Sequence, residues 1–372
     1  MTSKDFFDSL QMHYQSQLPF VAYSASSTQV VKSILQKDNT LHYTSEFNES
    51  GFVFAPFDHQ QDAILFPIDQ SDCFETKAES DFKFERHSIE DQLTEEDQEN
   101  HMNLVLKGIF AIENDELQKV VLSRKETIRL HESNPIIIFQ QLLSCYPNAF
   151  VYCWYHPKIG LWLGATPETL LKVKGNRFST MALAGTQTYQ GTLDVRWQTK
   201  ELEEQKIVTD YLVDRLGQLT ENLQATEVQT IRAANVLHLK TDILGTLDNQ
   251  KVGLKNILEA LHPTPAVSGF PKDSAKQFIL KNENYNREFY TGFLGAINIK
   301  ETKPRNSNRR NVENNAYATV KAVSNLYVNL RCMQLKNNYA HIYVGGGITK
   351  DSNSEAEWYE TVNKAMTIKN CL

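Results

Sequence analysis

His341-Ile-Tyr-Val-Gly-Gly-Gly-Ile-Thr-Lys350, followed closely by Glu355-Ala-Glu-Trp-Tyr-Glu-Thr361, is the stretch around which the chain is organised. The apolar run from His341 to Val344 predicts a strand that leads into the glycines Gly345, Gly346 and Gly347. Glycines let a backbone come close to a ligand and present N–H groups to an anion. A helix is then expected, with Glu355, Glu357 and Glu360 near its start. Glu357 and Glu360 are three residues apart, so a helix points both to one side. The plain alternative is a turn followed by a solvated helix start, where acids suit the dipole. The functional reading is an anion cradle beside paired carboxylates, suited to an anionic substrate and a hard cation.

The chain has 372 residues, 41% of them hydrophobic and 22% charged, an ordinary globular composition of one large or two smaller domains. A formal net charge of −7 argues against nonspecific nucleic-acid binding. No apolar run approaches the roughly 20 residues that span a bilayer. The N-terminus lacks the apolar core of a signal peptide. Cys73, Cys145, Cys153, Cys332 and Cys371 are scattered, which argues against a disulfide framework or a zinc site. A soluble, reducing compartment, the cytoplasm, is therefore expected.

Residues 1–100 read as β-rich, with short strands at Pro19–Ser24, Thr40–Ser45, Gly51–Phe57 and Ala63–Pro67. An acidic connection over 78–100 leads to a helix at His101–Asn114, with Met102, Leu106, Ile109 and Ile112 at helical spacing. Strand Lys119–Arg124, helix Pro135–Cys145 and a run of strands between Ala149 and Thr186 follow. A helix over Thr199–Leu223 carries the stripe Val208, Leu212, Leu216, Leu219 and Leu223, and that stripe extends back to Glu204 and Glu201. Acids aligned with a core stripe are costly unless paired or bound to metal. Further on come a strand at Ala234–Thr241, a helix at Leu254–Leu261, a rigid turn at His262–Pro271, a helix at Asp273–Leu280 and a strand at Gly292–Ile299. Residues 300–315 are polar and basic without periodicity and read as a loop. Arg331 falls inside an apolar strand expected at Leu326–Leu335, and needs an anionic partner there.

Taken together, Lys119, Glu168, Glu201, Glu204, Arg331, Gly345–Gly347, Glu357 and Glu360 fall at strand or helix ends. Clustered carboxylates suit Mg²⁺. Arginine with backbone N–H groups suits a carboxylate that is not bound to metal. A lysine and a glutamate on opposite sides of a bound ring can serve as base and acid.

At this point the sequence resembles the chorismate-utilising enzymes, specifically the isochorismate synthases. The resemblance is carried, in order, by Lys119-Val-Val-Leu-Ser-Arg124, Leu163-Gly-Ala-Thr-Pro-Glu168, Leu183-Ala-Gly-Thr186 and Lys200-Glu-Leu-Glu-Glu204. It continues with Leu261-His-Pro-Thr-Pro-Ala-Val-Ser-Gly269, Phe289-Tyr-Thr-Gly-Phe-Leu-Gly295, Leu330-Arg331, Gly345-Gly-Gly-Ile348 and Glu357-Trp-Tyr-Glu-Thr361. It implies one chorismate-utilising unit over 1–372, with a catalytic part at 101–372 and a loosely matching part at 1–100. The implied fold is a large α/β core of two β-sheet halves with helices outside.

The resemblance also implies Mg²⁺ and chorismate as the small-molecule partner; a monomer without nucleic-acid or membrane partners is expected. Lys119 is implied as the base that activates water for attack at ring C2, and Glu168 as the acid that protonates the departing C4 hydroxyl. Glu204 and Glu360 would hold the metal, with Glu201 and Glu357 on its waters. Arg331 and the backbone of Gly345, Gly346 and Gly347 would bind the pyruvyl carboxylate, and Gly185 and Thr186 would lie near the ring carboxylate. The product, isochorismate, would feed menaquinone or siderophore synthesis.

Sibling enzymes differ at single positions. Anthranilate synthase types carry glutamine where Lys119 sits, and aminodeoxychorismate synthase types carry lysine where Ala184 sits. Salicylate synthases share Lys119, Glu168 and the metal acids, and a noncatalytic chorismate-binding paralogue is the reading from another class. Gln205 stands where the family usually has histidine, and 300–315 resembles an insertion.

Overall fold

The computed structural model describes residues 1–25, 28–77, 93–233, 236–247, 252–303 and 319–372. Helix α1 (Ser3–Gln15) precedes strands β1 (Phe20–Ser24), β2 (Val30–Gln36), β3 (His42–Thr44), β4 (Gly51–Ala55), β5 (Ala63–Pro67) and β6 (Ser71–Lys77). Helix α2 (Glu95–Glu113), strand β7 (Lys119–Arg129) and helix α3 (Pro135–Cys145) come next. Strands β8 (Phe150–His156), β9 (Gly160–Thr166), β10 (Thr169–Lys174) and β11 (Arg177–Thr188) lead to helix α4 (Thr199–Gly217). The chain continues through β12 (Thr220–Ala225), β13 (Gln229–Ala233), β14 (Val236–Leu247), α5 (Leu254–Leu261), β15 (Gly269–Phe270) and α6 (Lys272–Asn282). It ends with β16 (Phe293–Lys303), β17 (Thr319–Val328), β18 (Cys332–Lys336), β19 (Tyr339–Ile348) and α7 (Ser354–Lys369).

The strands form two antiparallel sheets. One runs in the order β15-β7-β19-β18-β9-β8-β1-β2-β6, and the other β12-β14-β11-β10-β17-β16-β4-β5-β3, with β13 also on β14. Side chains of a strand alternate between faces, and here the alternation separates two kinds of core. On β8, Tyr152 and Trp154 join an aromatic cluster, whereas Val151, Cys153 and Tyr155 join an aliphatic one. On β4, Phe52 and Phe54 enter the same aromatic cluster from the other sheet, and Val53 and Ala55 turn away. The sheets therefore stack through rings. Phe66 on β5 stacks on Trp154 on β8 at 5.1 Å, and Tyr327 on β17 stacks on Phe150 on β8 at 4.0 Å. Burying side chains of this size contributes about 1.5–3 kcal/mol each. Helices α1, α3 and α7 cover the outer face of the first sheet, and α4 and α5 that of the second.

Several expectations change. Strand β19 does not stop at Val344; it runs on through the glycines to Ile348, paired with β7. Arg331 is not inside a strand. The backbone turns at Asn329–Arg331, with Arg331 at φ 47°, and the chain leaves one sheet for the other there. Helix α4 ends at Gly217, so Leu219 lies beyond it and Leu223 belongs to β12. Helix α2 buries His101, Val105, Gly108, Ala111 and Ile112, leaving Leu106 exposed. Helix α1 and strands β2 and β6 were not expected. Of the loop expected at 300–315, residues 300–303 extend β16 and 304–315 lie outside the described residues. Cys145 and Cys371 form one disulfide, against the expectation of no disulfide framework; they lie 226 positions apart, so spacing gives no sign of the pair. Cys73, Cys153 and Cys332 are free. No helix among the described residues is long and apolar enough to cross a membrane.

Candidate active site

Two of the passages of the chain from one sheet to the other lie side by side. One crossing, from β9 to β10, carries Glu168, and the other, from β17 to β18, carries Arg331. Backbone bonds stitch them together: Val328 N–H donates to the Glu168 carbonyl at 3.0 Å, and Ala165 N–H to the Arg331 carbonyl at 3.0 Å. A pocket opens beside this stitch. It is lined by Glu168, Gly185, Thr186, Glu204, Arg331, Gly345, Gly346 and Gly347, together with His238, Tyr290, Leu330 and Lys364.

Lys119 begins β7, has no exposed surface, and sits 3.1 Å from Glu204 Oε1. Glu204 Oε2 accepts the Gly185 N–H at 3.2 Å, so both oxygens of this acid are engaged. Gly185 has φ +73°, which suits glycine, at the point where the β11–β14 register shifts. Gly347 is needed for space: a Cβ there would lie 2.2 Å from Glu204 Oε1. A Cβ on Gly346 would lie 3.2 Å from Glu357 Oε2 and 3.3 Å from Glu360 Oε1. The glycines thus make room for Glu204 of α4 at Gly347 and for Glu357 and Glu360 of α7 at Gly346.

Burial pushes the Glu168 carboxyl up to about 8, against the opposing pull of Lys119, Arg331 and Lys364. Burial and the neighbouring Glu360 charge also raise Glu357, which ion-pairs with Lys200. Burial acts to raise Glu360 too, but the Lys364 and Lys200 charges prevail and hold it below the usual carboxylate range. Burial depresses Arg331, whose guanidinium makes no hydrogen bond to another described residue. A buried cation with free donors, facing a pocket, is a receptor for an anion.

Glu201, expected on the waters of a metal, accepts the Gln198 N–H at 3.0 Å and caps its own helix. Three residues that the sequence reading did not select stand at the site. His238 lies opposite Thr186 in register, bonds the Gly185 carbonyl at 3.0 Å, and is held neutral, at about 3, first by burial and then by Arg331. Lys364 bonds Glu360 at 2.6 Å and the Gly345 carbonyl at 2.9 Å. Lys200 pairs with Glu357. The two lysines each stand four residues from a site acid, which is the only sequence signal for them.

The acids suit Mg²⁺ in kind. Their donors are hard oxygens, and Glu357 Oε2 is buried without a hydrogen-bond partner. Among the described residues no three acids converge closely enough to hold an ion as they stand, because lysines engage each of them.

The fold and this pocket define a chorismate-binding enzyme. The chain belongs to that family: residues 22–303 and 316–370 match models described as chorismate binding enzyme. It is similar to the isochorismate synthase EntC of Escherichia coli (strain K12), 27% identical over 85% of this chain and 79% of that protein. It is also similar to anthranilate synthase component 1 of Lactococcus lactis, 26% identical over 83% of this chain and 69% of that one. In fold it matches MenF, the menaquinone-specific isochorismate synthase of Escherichia coli, at a TM-score of 0.76 and 21% identity, covering 100% of this chain and 93% of that chain.

Proposed function

We propose that the protein is an isochorismate synthase, dependent on Mg²⁺, converting chorismate to isochorismate by adding water at ring C2 and losing the C4 hydroxyl. The observation that carries this reading is a fully buried Lys119 near the same pocket as a Glu168 that stays protonated near neutrality. A protonated carboxyl can donate, and a neutral amine can accept. Lys119, 3.1 Å from Glu204 Oε1, takes the proton of the attacking water as a neutral amine. Glu168 passes its proton to the departing oxygen. One water enters and one leaves, so the reaction is an isomerisation.

Arg331 anchors the pyruvyl carboxylate beside the glycine backbone, and Gly185 and Thr186 face the ring carboxylate. Glu204 and Glu360 would hold Mg²⁺, with Glu357 on its waters; bound there, the ion would supply positive charge against that ring carboxylate. Lys119 separates this reading from the anthranilate type, whose glutamine suits ammonia as nucleophile.

The test incubates purified protein with chorismate and MgCl₂ near neutral pH and separates the products by chromatography, following salicylate fluorescence and pyruvate in parallel. A reversible mixture of chorismate and isochorismate is expected. Stoichiometric pyruvate with salicylate, at the rate of chorismate loss, would install the salicylate synthase reading instead.

A further inference from the structure

Lys200 lies on α4 one turn before Glu204 and reaches across to Glu357 on α7. Its side chain is 19% exposed and that of Glu357 only 1%, so the pair is largely closed off from solvent. The ion pair of Lys200 is with Glu357, and the charges of Glu360 and Glu204 also favour the ammonium. The other two lysines hold other acids: Lys119 pairs with Glu204, and Lys364 with Glu360 and the Gly345 carbonyl. Lys200 bonds Glu357 by its ammonium. Glu357 gives Lys200 its Oε1 and keeps Oε2 buried without a partner.

We propose that Lys200 sets how tightly the acid cluster takes a divalent cation, by competing with that cation for Glu357. The inference rests on the Mg²⁺ reading given above. An ion entering the cluster must either displace the ammonium from Glu357 or sit against it, and both weaken binding. Before the ion arrives, the same charge keeps neighbouring carboxylates from driving each other apart. Lys200 therefore trades affinity for a cluster that stays assembled when metal is scarce.

The test uses full-length protein stripped with EDTA and titrated with MgCl₂ by calorimetry, without substrate, and with thermal melts at each end point. Lys200→Met is expected to bind Mg²⁺ about tenfold more tightly. Its metal-free form should melt below the wild type, and Mg²⁺ should raise its melting temperature by more. Lys200→Arg keeps the charge and should stay within about threefold of the wild-type affinity. If Lys200 only positioned Glu357 or packed the start of α4, Lys200→Met would bind Mg²⁺ equally or more weakly, and the proposal fails. A wild type that binds no Mg²⁺ would instead defeat the metal reading itself, and the inference with it.

Discussion

Helices α4 and α7 carry acids at the same three-residue spacing, yet only α7 delivers both to the site. On α4, Glu201 is the third residue after the cap position Gln198, within reach of that residue's free N–H, and it folds back to bond it. On α7 the cap Asn353 serves Ala356 itself, and Glu357 is one residue too far along to reach back. Glu357 therefore turns inward, where Lys200 meets it. Spacing puts two acids on one side of a helix, and distance from the helix start decides whether both are available to a ligand.

The sharpest way to break this comparison is to neutralise an acid that faces the site. Glu204→Gln or Glu360→Gln should cost on the order of 10³-fold or more in turnover while the fold is retained by circular dichroism. Activity surviving either change, or surviving a chelator, would refute the metal reading.

Glu168 supplies the next effect. Glu168→Gln and Lys119→Ala should each lower kcat by about 10²–10⁴-fold with chorismate still bound. Wild-type kcat should fall as pH rises past about 8, where Glu168 ionises. Stability carries the same sign. Folding favours the protonated form, so this group's contribution is complete below its ordinary 4.5 and is lost as pH rises through about 8. Melting curves between those values should therefore decline less for Glu168→Gln than for the wild type.

Gly347→Ala comes third. The added methyl meets Glu204 at 2.2 Å, and the displaced carboxylate should cost about 10²-fold in kcat/KM, against less than about tenfold for Gly346→Ala. Equal losses would mean that the glycines do not act by making room for Glu204.

The smallest effect sharpens the comparison directly. Glu201→Ala should cost about 0.5–2 kcal/mol of stability as a lost helix cap and change kcat only severalfold. A loss of turnover matching that of Glu204→Gln would return Glu201 to the metal.

Strand and helix types across the catalytic part were legible because the apolar runs are long and their periods clear. The β19 glycines were legible as a close approach, but not as strand, since glycine gives no β signal while its backbone still pairs. On α2 the count of large residues selected Leu106, whereas the packed face runs through Gly108, where an added Cβ would lie 3.0 Å from Leu122. Small residues mark that contact, and a hydrophobicity count passes over them. Arg331 was legible as a charge in need of an anion, but its left-handed backbone was not. His238 gave no signal at all, because its role comes from lying across from Thr186 on a strand distant in sequence.

The stitched crossings at Glu168 and Arg331 have a mechanical consequence. Two sheets joined through a layer of rings can rock against each other, and a rocking motion leaves least displaced whatever lies at its pivot. Glu168 and Arg331 sit on two neighbouring passages from one sheet to the other, and those passages are fastened by main-chain bonds at 3.0 Å. Were the sheets to rock, these main-chain bonds would keep Glu168 and Arg331 together, while α4 and α7, which pack on opposite sheets, would move with the sheets that bear them.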